Sequence, residues 1–149
     1  MDDKTRDRLI ALAREAAAKA HAPYSRFHVG CAVMAEDGSV VTGANMENAC
    51  YRLGLCAEQS ALTAAQHAFG LGRITHVAVA GGPNSNGTIA GEDIITPCGG
   101  CRQAIAEAAS LSGRDIVVIS ASATGEEVLE MTISQLLPAG FGADVLPET

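Results

Sequence analysis

Leu9, Ile10, Leu12, Ala13, Ala16, Ala17 and Ala20 recur between residues 4 and 20 at the spacing of one helical face, and Asp2 or Asp3 stands where a cap belongs. That pattern predicts an amphipathic packing helix, broken at Pro23 in "HAPYSR". "FHVGCAVMA" (27–35) and "SVVTGANME" (39–47) read as strands around the turn "EDGS", an antiparallel hairpin. From Cys56, "CAEQSALTAAQHAFG" is rich in helix formers and stops at Gly70. "ITHVAVAGG" (74–82) has the continuous apolar character of a buried strand, and "GPNSNGTIAGED" after it reads as a long polar loop. A further helix is expected from Cys98 to Ser110, then strands at "DIVVIS" (115–120) and "EEVLEM" (126–131), and a short helix before Pro138. The order helix, two strands, helix, strand, helix, strand, strand predicts an α/β fold, a mixed sheet with helices on its faces.

Length and composition narrow the class. At 149 residues the chain is expected to form one domain spanning 1–149, and 48% hydrophobic with 18% charged residues is a globular balance. No apolar run reaches the length of a membrane span, and "MDDKTRDR" lacks the apolar core of a secretory leader, so no membrane partner and a cytoplasmic location are expected. The net charge is -7 and the aromatics are three Phe, two Tyr and no Trp. Binding a phosphate backbone wants positive charge and single-strand binding wants stacking rings, so nucleic acid is not expected as a partner.

Five cysteines in a chain without a secretory signal argue against a disulfide framework and for metal or thiol chemistry. Cys56 begins one predicted helix and Cys98 and Cys101 begin another. Helix starts carry unpaired N–H groups and the positive end of the helix dipole, which favour thiolates. Three thiolates fill three corners of a zinc tetrahedron and leave the fourth open for water, the arrangement of a catalytic site; a structural zinc wants a fourth protein ligand. Residues two apart inside a helix diverge by about 200°, but at a first turn with Cys56 flanking the helix, Glu58 can serve the same site as a base. A lone C-x-x-C after a proline also suits a thiol redox protein, and a structural zinc site is the other bland reading. Cys31 in a strand and Cys50 in a loop are expected to be small buried hydrophobes, and His21, His28, His67 and His76 lie in no ligand spacing.

The arrangement C-x-E followed by P-C-x-x-C is the zinc deaminase signature with cysteine as first ligand. Through "APYSRFHVG", "TGANMENACYRLGLCAEQSAL", "TPCGGCRQ" and "LLPAGFG", which sample nearly the whole chain, the sequence resembles the small homotetrameric cytidine deaminases. The resemblance implies the cytidine deaminase-like fold, a five-stranded mixed sheet with helices on both faces. It implies zinc, one per chain, and hydrolysis of the small nucleosides cytidine or deoxycytidine to uridine or deoxyuridine with release of ammonia, as in pyrimidine salvage.

Cys56, Cys98 and Cys101 are then the expected zinc ligands and Glu58 the proton shuttle. Asn45 and Glu47, two apart at a strand end, share one face. The resemblance makes them the grip on the ribose hydroxyls, Phe27 the wall over the pyrimidine, and the Ala57 backbone N–H the partner of the base carbonyl. Tyr51 and Phe141 match positions that reach a neighbouring subunit's site in a homotetramer, and Arg102 stands where it could offset thiolate charge. One position departs from the pattern: relatives with cysteine as first ligand have arginine after the glutamate, and this chain has Gln59. Deaminases of other amino-heterocycles, such as guanidino-nucleoside antibiotics, share the zinc core; the intact "NMEN" favours a nucleoside.

Overall fold

The computed structural model describes residues 2–148. Helix α1 (Asp3–Ala17) starts at Asp2, whose side chain accepts the Thr5 N–H at 2.7 Å and satisfies one of the donors a helix start leaves free. Strand β1 (Phe27–Ala35) pairs antiparallel with β2 (Val40–Ala44) and with β3 (Ile74–Ser85). β3 pairs in parallel with β5 (Val117–Ser122), which pairs antiparallel with β6 (Val128–Thr132). The path β2-β1-β3-β5-β6 is the expected five-stranded mixed sheet.

A sixth strand, β4 (Thr88–Ile89), pairs with the end of β3 and lies inside the stretch that reads as a loop. The turn between them is Asn86-Gly87, both at positive φ (54° and 84°), the backbone of a tight hairpin turn. "NG" is the sequence signal for it, and the polar residues around it hide the strands.

Alternation along the strands sends side chains to two layers. Ala32, Ala78, Ala80, Ile119 and Ala121 meet Leu9, Ile10 and Ala13 of α1. Cys31, Val33, Val77 and Val118 lie on the opposite face, under Ala57, Ala61 and Ala65 of α2 (Ala57–Ala68) and Ile105 and Ala108 of α3 (Gly99–Ser112). Helix α2 lies directly on β2, since a Cβ at Gly43 would come within 2.5 Å of the Ala61 backbone nitrogen. Helix α3 ends at Gly113 in the left-handed region (φ 68°), a glycine stop. The strand expected at 115–120 begins two residues later because Asp115 is used to hold the start of α4 (Ile133–Leu136), accepting Ser134 N–H at 3.0 Å. No helix of the described residues is long and apolar enough to cross a membrane.

Candidate metal centre and adjoining polar strip

Cys56 is the N-cap residue of α2 and Cys98 that of α3, both with extended backbone (ψ 152° and 169°) and neither using its sulfur as a cap. Cys101 sits in the first turn of α3, fully buried. The three sulfurs lie within 4.8 Å of one another. A tetrahedral zinc with bonds of about 2.3 Å needs sulfurs about 3.8 Å apart, so the group fits that ion and leaves one coordination position open.

The three thiols differ in acidity. Backbone N–H groups of Cys101 and Gly100 hold the Cys98 thiol below its ordinary value, with burial opposing. Burial pushes the Cys56 thiol up. Cys101 is raised further, by burial first and then by the charge of Glu58. Three thiols crowded at two helix starts, only one of them easily ionised, form a donor set that a divalent cation completes.

Glu58 is the second residue of α2 and buried, at 5% exposure. Burial raises its carboxyl above the usual range, and a hydrogen bond from the Cys101 thiol opposes this. The first-turn position brings Glu58 to the same side as the sulfurs although it stands two residues after Cys56. Gln59 Nε2 donates to Cys101 Sγ at 3.9 Å, an uncharged donor on a buried sulfur.

Arg102 makes no hydrogen bond to the sulfurs. Its guanidinium donates to Pro97 O at 2.8 Å and Leu136 O at 2.9 Å, tying the segment before Cys98 to the end of α4. Two orphan carbonyls out-compete soft thiolates for a planar, strongly donating fork. Cys31 is buried, whereas Cys50 is exposed just before a 3₁₀ turn (Tyr51–Leu53) and does not pack in the core.

Residues 45–47 run on beyond β2 as an extended strip between two segments. His21 N–H donates to Asn45 O at 3.0 Å and Glu47 N–H to His21 O at 2.7 Å. Met46 and Leu55 exchange N–H···O bonds of 3.0 and 2.9 Å, which fixes the strip against the residue before Cys56. Asn45 Oδ1 accepts Val29 N–H at 2.9 Å and its Nδ2 donates to Phe27 O at 2.8 Å. Glu47 Oε1 accepts the N–H groups of Tyr24 (2.9 Å) and Ser25 (3.1 Å), and the Ser25 hydroxyl donates to Oε2. Phe27, Asn45 and Glu47 are thereby brought together; Ser25 and Tyr24, which join them, are not singled out by the sequence reading, although Ser two residues before a strand start is a turn-forming signal.

Ala57 is buried at the first position of α2, so its N–H is one that the helix itself cannot pair. Tyr51 (79% exposed) and Phe141 (62%) stand on the surface. Tyr51 lies 5.7 Å from Tyr24, ring centre to ring centre, at 58°. The two tyrosines, Ser25 and Glu47 line a cleft of about 300 Å³, in which none of the three cysteines takes part.

A family model, the cytidine and deoxycytidylate deaminase zinc-binding region, matches residues 3–118. The chain is 39% identical over 147 residues to a cytidine deaminase of Mycobacterium tuberculosis (strain CDC 1551 / Oshkosh), covering 99% of this chain and 97% of that one. It is 41% identical over 139 residues to a cytidine deaminase of Halalkalibacterium halodurans, 93% and 96% of the two chains. Among solved structures, the cytidine deaminase of Burkholderia pseudomallei superposes with a TM-score of 0.78 at 36% identity, over 95% of this chain and all (100%) of that one.

Proposed function

Because the chain belongs to the cytidine and deoxycytidylate deaminase family, we propose that it hydrolyses cytidine and deoxycytidine to uridine and deoxyuridine, releasing one ammonia per turnover. The observation that carries this reading is the cluster of three sulfurs, within 4.8 Å of one another, with buried Glu58 beside it and no fourth protein ligand among the described residues.

Cys56, Cys98 and Cys101 would hold the zinc. When bound, zinc is a Lewis acid that lets water give up a proton near neutral pH. Glu58 would carry the proton in transit, taking one from the attacking water and delivering protons to N3 of the pyrimidine and to the amine leaving C4. Burial supports this role, because a carboxylate held away from water is a stronger base than an exposed one. The Ala57 N–H meets the base carbonyl and Phe27 covers the ring. Asn45 and Glu47 grip the sugar hydroxyls: Asn45 Nδ2 uses one of its two N–H groups on Phe27 O, which leaves the other free.

The exposure of Tyr51 and Phe141 supports assembly into a homotetramer in which these rings reach a neighbouring site. Residues 1–149 act as a single deaminase-type zinc domain, working in the cytoplasm on free nucleosides in pyrimidine salvage, with neither nucleic acid nor membrane as a partner.

The test is product analysis of zinc-loaded protein with cytidine, deoxycytidine, cytosine and other aminated heterocycles. Uridine and ammonia in equal amounts from cytidine are expected. A chain that binds zinc but turns over none of these compounds carries a structural metal, and turnover of a different heterocycle alone reassigns the substrate.

A further inference from the structure

Ser25 lies outside the metal centre and none of the roles above assigns it a task. It is exposed, on the segment between α1 and β1, and its hydroxyl has two partners: it donates to Glu47 Oε2 and accepts the Phe27 N–H at 3.0 Å. The residue between, Arg26, takes a left-handed backbone (φ 57°), which costs energy for a side chain of this kind. That conformation is held from both sides, by Arg26 N–H on Ala22 O (2.9 Å) and by Asn84 N–H on Arg26 O (2.7 Å). Its effect is to turn the Phe27 N–H back onto the Ser25 oxygen. A strained turn over-determined by its neighbours, and aimed at a carboxylate, is the kind of local cost that a binding site retains.

The bonds form a continuous path from Glu47 to Ser25, from Ser25 to Phe27, and from the Phe27 carbonyl to Asn45 Nδ2. We propose that Ser25 is a positioning residue for nucleoside recognition, its hydroxyl locking the Glu47 carboxylate and the Phe27 backbone into one unit with Asn45. Two N–H groups hold Oε1 of Glu47, whereas the Ser25 hydroxyl is the protein donor on Oε2. Without it Oε2 has no protein donor among the described residues, the carboxylate's orientation rests on the two N–H groups at Oε1 alone, and the Phe27 N–H loses the Ser25 oxygen as acceptor. The Ser25 hydroxyl is also the foremost reason that the Glu47 carboxyl lies below the usual range. Chemistry at Glu58 does not depend on this contact, so the role belongs to binding and not to proton transfer.

The proposal rests on Glu47 gripping the sugar, and the test separates the two. Steady-state kinetics with cytidine are measured on the zinc-loaded parent, Ser25→Ala, Ser25→Thr, Glu47→Ala and the double variant Ser25→Ala/Glu47→Ala, with zinc content and Tm alongside. Removing one hydrogen bond to a charged group at an exposed place is expected to raise KM about tenfold, with kcat within about twofold of the parent. Ser25→Thr keeps the hydroxyl and restores most of the KM. In the Glu47→Ala background the serine substitution adds nothing, since the group it acts through is gone. An equal loss in both backgrounds, accompanied by a lower Tm, makes Ser25 merely structural and overturns the proposal. If Glu47→Ala raises KM and Ser25→Ala does not, the proposal fails while the reading of Glu47 stands. Cytidine use unchanged in Glu47→Ala removes both. Should Ser25→Ala not fold, Ser25→Cys, a weaker donor of nearly the same shape, takes its place with the same expected outcomes.

Discussion

The sulfur cluster and the 45–47 strip adjoin through the Met46–Leu55 pairing, and they owe their order to different forces. Cys56, Cys98 and Cys101 are set by two helix starts, and those helices are fixed by apolar packing of Ala57, Ala61, Leu62 and Ile105 on the sheet. Asn45, Glu47, Ser25 and Phe27 lie at or near the surface and are set by hydrogen bonds between side chains and backbone. Cys98 is exposed and Cys56 half-buried, but the packed helices that carry them make the first region insensitive to small surface changes and intolerant of a lost ligand. The second region adjusts: each bond there is worth about 1 kcal/mol, so its losses are graded. On the proposed function, a lost ligand would abolish the reaction, whereas a change in the strip would alter which molecule is accepted.

Cys101→Ser strikes the buried end and has the largest expected effect. It removes a ligand from the fully buried corner, so zinc per chain falls toward zero and turnover falls by more than about 1000-fold, given that even partners of ligands cost 10–100-fold. Atomic absorption and the cytidine assay read both, and a zinc-replete, active Cys101→Ser would detach the sulfurs from the chemistry. Glu58→Gln keeps shape and metal and loses about 10²- to 10⁴-fold in kcat; a variant turning over near the parental rate removes Glu58 from proton transfer.

Gly43→Ala probes the packing that holds the metal centre. The new methyl would sit 2.5 Å from the Ala61 nitrogen, pushing α2, with Cys56 and Glu58, away from β2. A loss of about 1–3 kcal/mol in denaturant unfolding is expected, together with faster zinc loss to a chelator. Gln59→Arg replaces a neutral donor on Cys101 Sγ by a charged one, which is roughly twice as strong. Zinc release to the chelator should slow by a few-fold, and faster release would show that the amide already suits the site better.

The smallest effect is expected from Asp115→Asn, remote in role from both regions. Asp115 is held below the usual carboxyl range by the Ser134 hydroxyl, then by the Ser134 N–H. A group whose folded pKa is depressed stabilises the fold above its unfolded value and loses that contribution as pH falls through the folded value. The variant should melt slightly lower than the parent at neutral pH and converge with it in acid, with cytidine kinetics unchanged. A pH-independent difference would remove the carboxylate as its cause.

What could be read in the sequence divides along the same line. The helix starts carry local signals, a cysteine where a cap belongs followed by helix formers, and the strands follow from apolar periodicity, whereas their order in the sheet, with β3 and β5 parallel, is written in no local pattern. The strip was legible only as Asn45 and Glu47 sharing a face; that Ser25 binds Glu47 depends on a left-handed Arg26 and on pairing between segments 21–27 and 45–47, which no local pattern encodes. That Arg102, next to Cys101, ties the Pro97 and Leu136 carbonyls together depends on the packing of α4 and could not be read from its neighbours in the sequence. The β4 hairpin was masked by polar residues, and Cys50 by the general habit of cysteine to be buried.

The central claim is that the sulfur cluster and the polar strip form one site for a nucleoside. Its most direct test is the ratio of kcat/KM for cytidine to that for cytosine, the free base, measured on the zinc-loaded parent and on Asn45→Ala/Glu47→Ala. A site built to pair a hydroxyl rejects a molecule lacking it by about 10⁴-fold or more, so the parental ratio should be of that order and should collapse in the double variant while cytosine turnover stays the same. A parent that deaminates cytosine as well as cytidine, or a ratio untouched by the double substitution, would contradict the account.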